Sequence, residues 1–132
     1  VVEIADGLTL PVFEGGPVEQ QTLHFIHRRP DIITEGIEIS TGIYWGGDFD
    51  VAIAALHNKE ITDSQIRFFI GYSGWSSGQL QEEVEEKSWI ITTPDVGISF
   101  SLEAEQIWKR SMQQLGGEYA QMTNYPIDPQ LN

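Results

Sequence analysis

"IRFFIGYSGWSSGQLQEEVEEK" (residues 66–87) decides how this chain is read. Its first seven residues are nearly all apolar, which predicts a central strand buried on both faces. Gly71, Gly74 and Gly78 then break the run, and a glutamate-rich stretch follows. Ser76-x-x-Gln79 reads as a capping box, in which the Ser76 hydroxyl accepts from the Gln79 amide and the Gln79 side chain returns to the Ser76 amide. Leu80 and Val84 then face inward, and Gln81, Glu82, Glu83, Glu85 and Glu86 lie on a solvated face. The expected junction is strand, glycine corner, helix. Gly71 and Gly74 permit the turn, Trp75 plugs the core and Ser76 caps the helix.

Upstream, "LPVF" (10–13) is β-prone and halts at Gly15-Gly16-Pro17. "QQTLHFIHR" (20–28) alternates as a strand, with Thr22, His24 and Ile26 on one face and Leu23, Phe25 and His27 on the other. "GIEISTGIYWGG" (36–47) is again β-like. Asp48 caps a helix over 49–57, where Phe49, Ala52, Ile53 and Leu56 share a face, and Asn58 suits the left-handed closing position. Downstream, "SWIITT" (88–93) reads as a strand ended by Pro94, with a short extended piece at 97–100. Residues 102–115 carry the clearest helical pattern: Ala104, Ile107, Trp108, Met112 and Leu115 on one face, closed by Gly116-Gly117. The tail after residue 117 has two prolines and no period, so an extended or disordered end is expected.

Composition narrows the function. Twenty acidic and seven basic residues give a net charge of −13 over 132 residues. Such a surface repels phosphate backbones and anionic membranes, which disfavours direct nucleic-acid or membrane binding. There is no cysteine, so thiol chemistry, disulfides and thiolate metal sites are excluded. No apolar run is long enough to cross a bilayer and no signal-peptide pattern opens the chain, so the expected location is cytoplasmic. The opening "VVEIADGLTL" lacks an initiator Met, as if it began inside a domain.

The glycine corner admits two kinds of chemistry. An anion could rest on free helical amides, but the G-x-x-G-x-x-x-G spacing matches neither phosphate-binding fingerprint and lacks the lysine of the phosphate loop. Gly71-Tyr72-Ser73-Gly74-Trp75 has the strand–turn–helix setting of a nucleophile elbow, but Trp75 stands where that motif needs glycine. His24 and His27 project to opposite faces and cannot share a metal, and His57 simply suits a helix C-terminus. No catalytic residue, metal ligand or cofactor is assigned.

"VFEGGPV" (12–18), "FFIGYSGWSSGQLQEEVEEKSWI" (68–90) and the helix bearing Trp108-Lys109-Arg110 and Leu115-Gly116 together resemble the YqgE/AlgH family of bacterial proteins. The resemblance runs from Pro11 to Gly117. It implies an α+β fold with no established catalytic residues. Some members are called transcriptional regulators of exopolysaccharide synthesis on genetic grounds. Relatives often have alanine where this chain has Ser73, which weakens the elbow reading. They also carry a further strand-rich segment in front, so this chain is expected to be a fragment or a cleaved form. A sheet edge left bare would invite a homodimer.

The expected fold is α+β, a mostly antiparallel or mixed sheet flanked by about three helices in one domain over residues 1–117, with 118–132 as a tail. The expected function is a non-enzymatic interaction or small-ligand-binding protein, with an indirect role in transcriptional regulation. Its partner is an unidentified protein or a small ligand. Gly15, Gly16, Pro17, Gly71, Tyr72, Gly74, Trp75, Gly78 and Gln79 are expected to line one ligand cleft. The alternative is an enzyme using that cleft, with Tyr72, Ser73, Gln79 or a histidine as its polar groups.

Overall fold

A computed structural model describes residues 2–5, 7–101 and 103–124. The chain divides into two compact units, Val1–Ile90 and Ile91–Asn132. The first unit opens with the antiparallel pair β1 (Val2–Ala5) and β2 (Leu8–Leu10). Its main sheet has five strands: β3 (Val12–Glu14), β4 (Val18–His27), β5 (Ile37–Ser40), β6 (Ile43–Trp45) and β7 (Ile66–Tyr72). Their spatial order is β3-β7-β4-β6-β5. β3 runs parallel to β7 and the remaining pairs are antiparallel. The apolar strand β7 therefore lies inside the sheet, as its composition requires.

Alternation assigns the two faces. Phe25, Ile66 and Phe68 turn to one side and form a core with Ala52, Ala55 and Leu56 of α1 (Phe49–His57), closed by Ile33 and Ile61. Asp48 caps α1 as expected, its carboxylate accepting from the Val51 amide at 3.2 Å. Asn58 does not take the left-handed conformation; its φ is −82°, and Lys59 carries the positive φ of 58°. The opposite, outer face of the sheet carries Phe13, His24, Ile26, Trp45 and Phe69. There the Arg67 guanidinium lies 4.4 Å from the centre of the Phe13 ring, a cation–π contact.

Helix α2 (Gln79–Glu85) is shorter than the capping box implied. Only half of the box forms. The Ser76 amide donates to Gln79 Oε1 at 3.0 Å, and the Ser76 hydroxyl donates to the same oxygen at 3.1 Å. The Gln79 amide instead reaches the Ser76 carbonyl, so Gly78, at φ 81°, becomes the N-cap. Trp75 does not plug the core: it is 37% exposed, because its indole is drawn to the Glu83 carboxylate.

Residues 88–93 form no strand, because β conformation is stabilised by a paired neighbour and none pairs with them among the described residues. The second unit contains α3 (Val96–Ser99), α4 (Glu105–Leu115) and α5 (Gly117–Met122). Residues 97–100, expected as extended, turn helical because Asp95 accepts from the Ile98 amide at 3.0 Å and caps α3. α4 starts three residues later than its periodicity predicted and ends at Gly116, φ 74°. Of its apolar face Met112 is buried, while Trp108 and Leu115 stay largely exposed. The first turns of the expected tail are α5 rather than extended chain. Residues 125–132 lie outside the described residues.

Candidate functional site

The two glycine corners meet. The Gly15 amide donates to the Ile70 carbonyl at 2.9 Å, and the Ser73 hydroxyl donates to the Gly15 carbonyl at 3.3 Å. A Cβ on Gly15 would run into the Gly71 carbonyl oxygen, and one on Gly16 would run into the Tyr72 backbone. Gly71 itself sits at φ 74°, where side-chain-bearing residues are strained. Between Val18 and Leu23 the β4 ladder slips against Tyr72 and Ile70 of β7. This bulge wraps β4 around Gly71 and interrupts the sheet beside the corner.

Next to it, on the outer sheet face, lies a cavity of about 530 Å³, within the size range of small-molecule sites. Gly15, Gly71, Tyr72 and Ser73 come to it from the corners. His24, Phe25 and Ile26 come from β4, Trp45 from β6, Phe69 from β7 and Glu14 from the end of β3. Four of these ten, Gly15, Gly71, Tyr72 and Ser73, belong to the segments singled out from sequence. Gly16 packs beside the cavity, against the Tyr72 and Ser73 backbone. Gly16, Pro17, Gly74, Trp75, Gly78 and Gln79 do not line it.

His24 is the polar centre of this wall. Its ring stacks on Trp45 (centroids 6.2 Å apart, planes at 30°) and meets Tyr72 edge-on (5.7 Å, 83°). Its Nε2 is sealed from water and has no hydrogen-bond partner among the described residues. A buried polar atom in that state costs about 1–3 kcal/mol. His27 is the contrast. It is fully buried on the other face, where Nε2 lies 3.0 Å from the Gly46 carbonyl and Nδ1 accepts from the Arg29 amide at 3.1 Å. Sequence reasoning placed both histidines on their correct faces but saw no site in His24. Its neighbour Trp45 comes from a strand paired across the sheet, which alternation within one strand does not reveal.

Ser73, His24 and Glu14 share the cavity, the residue types of a nucleophile triad. Their geometry is not that of one. The Ser73 hydroxyl is engaged by Gly15, and no nucleophile–base hydrogen bond joins it to His24.

Trp75 and Gln79 belong instead to a second cluster, centred on Glu83. Oε2 of Glu83 accepts from both the Trp75 and Trp89 indoles, at 2.9 and 2.7 Å, and Oε1 accepts from the Gln79 amide group at 2.9 Å. These donors hold the carboxylate below its ordinary pKa, the Trp89 bond contributing most. The two indoles meet edge to face, with centroids 5.6 Å apart. No group of three or more metal-ligating side chains occurs among the described residues. No helix among them is long and apolar enough to cross a membrane.

A mixed sheet with helices and paired glycine corners defines an α+β protein of the AlgH-like kind, and the profile of the AlgH-like family matches residues 2–120. The chain belongs to that family. It is 46% identical over 122 residues to a UPF0301 protein of Chlorobium phaeobacteroides, covering 92% of this chain and 65% of that one. It is 42% identical over 127 residues to a UPF0301 protein of Chlorobium luteolum, covering 96% and 67%. The chain thus spans about two thirds of the length of these relatives. Among solved structures, the AlgH protein of Pseudomonas aeruginosa superposes with a TM-score of 0.65 at 21% identity, over 89% of this chain and 60% of that one. Protein DIP2367 of Corynebacterium diphtheriae gives 0.64 at 16%, over 86% and 60%. Both likenesses concern the fold.

Proposed function

We propose that this protein is a non-enzymatic binding protein whose outer-face cavity holds a small ligand. The observation that carries this reading is His24, which lines a cavity walled by aromatic rings while its buried Nε2 has no hydrogen-bond partner among the described residues. A group that costs stability without a partner is a ready recognition point for one. The glycine corners act as architecture that brings Tyr72 and Ser73 to the rim. The protein works in the cytoplasm, and any regulatory output runs through a protein partner. At a net charge of −13, no measurable affinity for duplex DNA is expected even at low salt.

The test is an amide-resolved NMR titration against a panel of charged and uncharged small molecules. Shifts confined to Gly15, His24–Ile26, Trp45 and Gly71–Ser73 support the reading. A panel that moves none of these amides overturns it. An enzyme reading keeps one supporting observation, Ser73 and His24 on one cavity. It requires a ligand that draws Ser73 away from Gly15, and S73A abolishing any turnover found.

A further inference from the structure

We infer that the cavity selects a flat, uncharged heteroaromatic ring carrying a hydrogen-bonding nitrogen and rejects phosphorylated ligands. This rests on the ligand-binding reading above and names the chemistry of that same site.

The walls argue for a flat ring. His24 and Trp45 are already stacked, and Tyr72 stands edge-on beside them, so a planar guest meets faces and edges of the geometry that aromatic rings prefer. The orphan nitrogen argues for a polar edge on that ring. Histidine χ2 has a broad torsional preference, so a turn of the imidazole on guest entry would offer a nitrogen to the cavity. A plain hydrocarbon would leave that nitrogen unsatisfied.

Charge argues against phosphate. Glu14 is the only charged side chain among the described residues that line the cavity, and the whole chain is strongly acidic. Two donors of the corner are already engaged, the Gly15 N–H by the Ile70 carbonyl and the Ser73 hydroxyl by the Gly15 carbonyl. A phosphate placed there would be desolvated beside the Glu14 carboxylate, and no lysine or arginine lines the cavity among the described residues. The cavity volume of about 530 Å³ accommodates a bicyclic ring with room for a substituent.

The experiment titrates isotope-labelled protein with benzimidazole, indole and adenosine, with adenosine monophosphate and toluene as controls. The amides named above and the His24 ring nitrogens are followed. The expected result is that at least one uncharged heterocycle moves both sets of signals. Adenosine monophosphate should bind at least about tenfold more weakly than adenosine, and H24F should weaken the heterocycle about tenfold, the worth of one hydrogen bond. E14K should narrow the gap between adenosine and its monophosphate. Three results overturn the inference while sparing the cavity: the monophosphate binding as well as adenosine, toluene alone binding there, or H24F binding undiminished with its amide dispersion intact. Should H24F unfold, the E14K comparison decides, and an unchanged preference between adenosine and its monophosphate sinks the charge argument. Silence of the cavity amides toward every probe removes the site itself.

Discussion

His24 and His27 stand three residues apart on β4 and meet different surroundings. Because the Arg29 N–H points at Nδ1 of His27, the neutral tautomer carries its proton on Nε2 and gives it to Gly46. Burial, the larger cause, holds the His27 pKa below its ordinary 6.5, while the Gly46 bond opposes it. The folded state therefore keeps His27 neutral where the unfolded chain takes up a proton. Its contribution to stability is complete above pH 6.5, falls as pH drops toward the folded value and then levels off. Urea midpoints measured from pH 8 down to 5 should show that slope in the native protein and lose it in H27F. H27A should cost about 2–4 kcal/mol, from two lost partners and a buried void. At Gly15 the obstacle is backbone: G15A would push a methyl group into the Gly71 carbonyl. We expect a loss of about 1–3 kcal/mol, toward the upper end, because neither chain can yield without breaking the β3–β7 pairing. A lower denaturation midpoint at unchanged slope checks it. The Gly-Gly-Pro punctuation announced a turn here but not the chain against which it turns.

Among the elements, α2 shows how far periodicity reaches. The pattern Leu80, Val84 correctly marked the half-buried side, and Gln81, Glu82, Glu85 and Glu86 are exposed. Glu83, assigned to the solvated face, is instead gripped by two indoles and an amide. Nothing in the spacing of a single helix shows that Trp75 and Trp89, from before and after it, converge on one carboxylate. Glu83 is held ionised by these donors, so its contribution is present above its ordinary pKa of 4.5 and is lost as pH falls through the lower folded value. The indole N–H resonances of Trp75 and Trp89 should move together over that acid range. In E83A they should already sit at their shifted positions at neutral pH and show no such titration. Two indoles titrating independently would show that no common carboxylate joins them.

For the molecule as a whole, the segment between the helices of the two units matters most. Its composition predicts a strand, and it is largely exposed chain without regular structure. Lys87 opens it at φ 64°, in a conformation that costs a non-glycine residue energy. Arg67, by contrast, is 5% exposed within β7. Under native conditions trypsin should cut after Lys87 before it cuts after Arg67, and mass spectrometry of the first fragments checks the order. Cleavage at Arg67 at an equal rate would mean that β7 opens as easily as the segment.

Several features of this protein are written in local sequence. β4, β7 and α1 follow from alternation, apolar density and the Asp48 cap, each acting within a few residues. The acidic charge is a property of composition alone, and the GGPV and GY-x-GW-x-x-GQL segments suffice for the family. Tertiary structure alone decided the rest. Whether 88–93 became a strand depended on a paired neighbour elsewhere in the chain. The cavity needed Gly15 against Gly71, a bulge in β4, and Trp45 brought beside His24 by strand pairing. Those are non-local contacts, and the free energy that favours them belongs to the assembled sheet rather than to any one stretch of chain.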